Sequence, residues 1–196
     1  MTAPTLVRSS ALALSLGLCA SCVSFAPRPV AAGDWHFGGS SSGLWSTTDG
    51  GDYGDTDSLD LQVTGGRFVS EQVLVEGVVE IADANLEDSS GDETDLTTFH
   101  VGAGARYYAM TDGTSRPYLG LRGGFSHINI DDDFSGTDES DTSPFAEVRL
   151  GLESMVSPCA AVDMGISWQE IFSRRLGSLD DDITTFGLFV GFSIWL

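Results

Sequence analysis

Apolar and polar residues alternate strictly over the last eleven positions of the chain. Phe186, Leu188, Val190, Phe192, Ile194 and Leu196 share one parity; Gly187, Phe189, Gly191, Ser193 and Trp195 share the other. Period-two alternation marks a β-strand with one greasy face and one mixed face. A water-soluble sheet rarely carries six large apolar side chains on a terminal strand. A transmembrane barrel does so as a matter of course, because that face meets lipid.

The same texture recurs upstream and predicts eight strands, over residues 35–46, 59–68, 73–84, 97–109, 118–130, 145–155, 160–172 and 184–196. The connections sort by parity. Strands two, four and six are followed by short turns at 70–72, 111–116 and 156–158. Strands one, three, five and seven are followed by longer polar segments at 49–57, 87–95, 131–143 and 173–182, the first three strongly acidic. Short turns at one end and long loops at the other are the signature of an outer-membrane barrel, with the turns in the periplasm. Strands of this length fit tilted crossings of the hydrocarbon layer. The expected fold is therefore all-β: an eight-stranded antiparallel up-and-down transmembrane β-barrel, preceded by a cleaved signal peptide.

The charges keep to one parity as well. Glu76 and Glu80 alternate with Val73, Val75, Val79 and Ile81; Arg106 alternates with Val101, Ala103, Ala105 and Tyr107. Arg122 lies between Leu119, Leu121 and Phe125. Glu147, Arg149 and Glu153 alternate with Val148, Leu150 and Leu152, and Asp163 with Val162 and Met164. Arginine and glutamate at matching levels, beside many glycines, predict a narrow lumen filled by ion pairs. The expected network is Glu76, Glu80, Arg106, Arg122, Glu147, Arg149, Glu153 and Asp163, with a structural role. Aromatic residues near strand ends, Trp35, Trp45, Phe99, Tyr107, Tyr118, Trp168, Phe172, Phe186 and Trp195, suit interfacial girdles.

Composition narrows the class further. The chain has 196 residues, enough for one domain, and no lysine; its nine cations are all arginine against 29 acids. Without residues 1–32, seven arginines face 29 acids, a net charge of −22. Nucleic acid is excluded as a partner because its phosphates would be repelled. Residues 1–32 read as an export signal: Arg8, then the apolar run 11–20, then Val30-Ala31-Ala32 as a cleavage site before Gly33. The alternative is a lipoprotein signal ending before Cys22, where Cys19-Ala20-Ser21 supply the small residues. Residues 33–196 then form the barrel. Only Cys159 lies beyond the signal region, so no internal disulfide framework exists there.

The run Ala105-Arg106-Tyr107-Tyr108, then Thr111-Asp112-Gly113, then Arg116-Pro117-Tyr118-Leu119-Gly120 resembles the fourth strand, turn and fifth strand of a known superfamily. It is that of the eight-stranded outer-membrane barrels of the outer-membrane protein A and X type. The resemblance covers the whole of residues 35–196. It implies a monomer in the bacterial outer membrane, in contact with lipid and lipopolysaccharide. It also implies insertion by the barrel-assembly machinery through the C-terminal strand, although this chain ends Trp195-Leu196 where members often end in Phe.

Some barrels of this size modify lipid A, which requires a nucleophile, a histidine base and an orienting acid. His36, His100 and His127 are the histidines present. Ser126 and His127 are adjacent on a strand and face opposite sides, so they form no pair without a bulge. The expectation is no catalytic residue, no cofactor and no resident metal, with a lipid A-modifying enzyme as the alternative. The Asp-rich stretches, Asp49, Asp52, Asp55 and Asp57 and then Asp131 to Asp133, match no EF-hand. A barrel whose acidic loops take cations or a surface partner is the further alternative. Eight strands leave an interior just filled by side chains, so a plugged lumen is expected.

Overall fold

The computed structural model describes residues 26–48, 56–87, 93–132, 137–172 and 183–196. It contains eight strands: β1 Trp35–Thr48, β2 Thr56–Phe68, β3 Val73–Glu87, β4 Glu93–Tyr108, β5 Ser115–Asp132, β6 Thr137–Ser157, β7 Ala160–Ile171 and β8 Ile183–Trp195. Every strand pairs antiparallel with its sequence neighbours, and β1 pairs with β8 to close the barrel. Closure satisfies every strand's backbone within the sheet, which is the condition for crossing a bilayer with strands.

Paired residues can be followed once around the wall. His36 pairs with Gly66, then Glu76, Gly104, Arg122, Glu147, Gln169 and Thr185, and Thr185 pairs with Ser46. The path returns to β1 ten residues higher, from 36 to 46. Such a stagger tilts the strands by about 35–45° and sets the bore.

The apolar parity faces out. Leu61, Val63, Leu121 and Phe125 are all more than half exposed, as are Leu188 and Leu196. Among the described outward positions, ionisable side chains stand only toward the rims, with Arg67 at the turn end and Asp83, His127 and Glu170 toward the other. Trp35, Phe99, Tyr107, Trp168, Phe172 and Phe186 are exposed, as girdle residues should be. Tyr118 and Trp195 are not: both are buried on the lumen side. Strand register decides this, because Tyr118 shares its parity with Arg122, and Trp195 with the buried Phe189 and Ser193, rather than with the lipid-facing stripe. The side chain of Trp45 lies outside the described set.

The strands also run further than their apolar stretches. Residues 131–143 read as the longest acidic loop, yet β5 continues to Asp132 and β6 begins at Thr137, with Asp131 paired to Asp138. Likewise Glu87 pairs with Glu93. Near a chain reversal the ladder closes at little entropic cost, and past the membrane it needs no greasy face. The acidic segments 49–55, 88–92, 133–136 and 173–182 fall outside the described residues.

Candidate functional site

Among the described residues, the lumen is where the fold gathers ionisable side chains out of water. All eight residues of the expected network point into it and are buried. Alternation puts every second residue inside, and inward glycines make room for the long ones. A Cβ on Gly151 would sit 2.4 Å from the Tyr118 ring, and one on Gly165 would sit 2.7 Å from Phe189.

The side chains stack in layers from the turn end upward. The floor is aromatic: Phe68, Tyr108 and Trp195 pack with Leu74 and Met155, and Phe68 stacks on Trp195 at 4.9 Å between ring centroids. Glu153 is fully buried within this floor. His36 Nε2 lies 3.0 Å from its Oε1, Trp195 Nε1 donates to the same oxygen at 3.2 Å, and Ser193 donates to it as well. The Arg116 guanidinium, also fully buried, covers the Trp195 ring at 4.5 Å.

Above the floor lies a continuous arginine–carboxylate network. Arg106 donates to Glu76 at 3.0 Å and to Asp163 at 3.0 Å. The Tyr118 hydroxyl reaches Asp163 at 2.9 Å. Arg122 donates to Glu76 at 2.8 Å, to Gln62 at 2.8 Å and to Glu147 at 3.4 Å. Arg149 is held by Glu147 and lies over Phe189 at 4.6 Å. A cavity between His36, Ser40, Gln62, Thr64, Arg106 and Asp163 has a volume of about 10 Å³, room for one water.

The outer half is built differently. Ser42, Thr98, Ser126, Ser143 and Thr185 are small hydroxylated residues, all buried. Its carboxylates are Asp60, which accepts from Ser42 at 2.9 Å, and Glu80, which accepts from Gln62. Neither has an arginine partner among the described residues. His100 Nε2 stands 3.9 Å from Glu80, and the ring meets Phe145 edge-on.

Ser126 and His127 face opposite sides, as their adjacency requires. Ser126 is fully buried in the lumen, while His127 is outside, 2.9 Å from Thr142 Oγ1. Instead, the ladders between neighbouring strands set Ser126 beside His100 and His100 beside Glu80. Four buried ionisable residues of the lumen, His36, Asp60, His100 and Arg116, stand outside the expected network, His100 in the inward register that its strand predicts. Asp60 and His36 share the inward parity of their strands and were legible on that ground. Arg116 sits beside Pro117 at the end of a turn, where local sequence carries no inward signal. Among the described residues, no group of three or more acidic, histidine or cysteine side chains is placed to hold a metal ion.

The architecture has many solved counterparts. Neisserial surface protein A matches at TM-score 0.62 with 18% identity, over 83% of this chain and 98% of that one. Ail, the attachment invasion locus protein of Yersinia pestis, matches at 0.58 with 16% identity, over 84% and 99%. OprG, an outer membrane protein of Pseudomonas aeruginosa, matches at 0.59 with 15% identity, over 87% and 99%. At these identities the likeness concerns the fold. No curated protein sequence matches the chain. The model of the outer membrane protein beta-barrel domain matches residues 10–193. The chain therefore belongs to the outer membrane protein β-barrel domain family, and is a protein of the bacterial outer membrane.

Proposed function

We propose that this protein is a monomeric, non-catalytic and non-conducting barrel that acts through its surface. Its wall contacts outer-membrane lipid and lipopolysaccharide, its acidic loops face the outside, and the barrel-assembly machinery inserts it by way of β8. The observation that carries this reading is the interior: guanidinium, carboxylate and aromatic groups bond across the bore from β1 to β8. Low-dielectric ion pairs of this kind support a wall and leave no aqueous path. The test is conductance of the purified protein in a planar bilayer. No current steps above the lipid background are expected, and steady unitary steps would sink the reading.

A hydrolytic barrel is the second reading, favoured by one observation: the row Glu80, His100 and Ser126 on adjacent strands. Against it, the Ser126 hydroxyl is enclosed and the acid–histidine distance is 3.9 Å. A lipid substrate would approach from the wall, where this row does not point. Labelling with a fluorophosphonate probe separates the two readings. No labelling is expected; labelling abolished by Ser126→Ala would favour the hydrolase.

A further inference from the structure

The short segment ahead of β1 is woven into the barrel floor. Val30 is 6% exposed and packs in the cluster of Phe68, Leu74, Tyr108, Met155 and Trp195. Arg116, fully buried, donates from Nη2 to the Arg28 carbonyl at 2.6 Å. Arg28 in turn pairs with Asp34 at 2.8 Å, and the Ala31 amide donates to Asp34 Oδ2 at 3.0 Å. The segment enters β1 through Gly33, whose φ of +101° is a left-handed conformation that glycine tolerates best. There the Gly33 amide donates to the Phe68 carbonyl at 2.7 Å, and Arg67 donates to the Gly33 carbonyl at 3.1 Å. Pro27 and Pro29 stiffen the approach.

Cutting after Ala32 would remove Val30 from the floor and take the Arg28 carbonyl from a guanidinium with no other acceptor among the described residues. A buried cation stripped of its acceptor is a costly defect, and an opened apolar site adds to it. We propose that residues 28–32 stay in the mature protein as the plug of the periplasmic mouth. The leader is then removed upstream of Arg28, where Cys19-Ala20-Ser21 before Cys22 supply the small residues that processing requires. The Val30-Ala31-Ala32 run has the small residues of a cleavage site, but its valine is committed to packing.

Intact-mass measurement and N-terminal sequencing of the protein from outer membranes test this directly. The expected chain begins at Arg28 or earlier, whether its first residue is free or acylated. A chain beginning at Pro29 or later, Gly33 above all, would overturn the proposal. The variant Ala32→Leu gives a second reading, since Ala32 is exposed and a large residue there blocks cleavage after it. Processing of this variant should match the wild type in rate and in site. Accumulated precursor would assign the cut to Ala32 and refute the plug as part of the mature barrel.

Discussion

The two halves of the lumen solve one problem in different ways. Both must fill a bore that eight strands leave narrow. The periplasmic half uses large groups: Arg106, Arg122 and Arg149 bond to carboxylates, and Arg106, Arg116 and Arg149 lie on aromatic rings. The outer half uses short hydroxyl side chains and leaves its two acids, Asp60 and Glu80, on neutral donors. Among the described residues six buried carboxyls meet four buried guanidiniums, and the surplus falls entirely in the outer half. Stability should therefore be concentrated below and tolerance above. A paired charge out of water is expensive to orphan, whereas an acid bonded to a serine has little to lose.

Replacing Arg122 tests the comparison most severely. Arg122→Ala takes one of two guanidiniums from Glu76 and from Glu147 and frees Gln62, and should cost about 3–5 kcal/mol. The readout is the urea midpoint at which the unboiled, fast-migrating gel band disappears in lipid vesicles. Converting both Arg122 and Glu76 to methionine should recover much of that loss, because the remaining charges then match one to one, Arg106 with Asp163 and Arg149 with Glu147. A double variant as unstable as the sum of the single ones would show that the network acts by shape alone.

Gly151→Ala comes next. The new methyl would meet the Tyr118 ring, which Asp163 holds by its hydroxyl. Overpacking of this kind costs about 1–3 kcal/mol and should lower the same midpoint. In the outer half, Ser42→Ala should cost about 1 kcal/mol by removing a donor from Asp60. Asp60→Asn should change the midpoint least, by about 0.5 kcal/mol or less, because the amide oxygen still accepts from Ser42. An outer-half substitution as damaging as Arg122→Ala would erase the distinction between the halves.

Much of this architecture is legible along the chain because alternation is local. The parity of Glu76 and Glu80 against Val75 and Val79 identifies one face without any knowledge of partners, and eight such stretches imply eight strands. The inward register of Asp60 and His36 was equally open to view. Trp195 shows how composition can mislead: it stands at a strand end like a girdle residue, yet its parity places it over Arg116. Glu87 and Glu93 mislead in the opposite direction, since charged residues near a reversal read as loop although the ladder carries them.

The order of residues by itself determined the strand count, the membrane-facing stripe and the set of charges opposite it, because each depends on side chains one or two positions apart. The tertiary structure alone decided who meets whom. Arg106 reaches Asp163, 57 residues away, and Arg116 reaches the carbonyl of Arg28, 88 residues away. Those contacts follow from closing the sheet round one bore, which sets distant segments face to face and which no local pattern encodes. The fold likewise packs Val30, in a stretch that reads as leader, against Phe68 and Trp195 in the barrel floor.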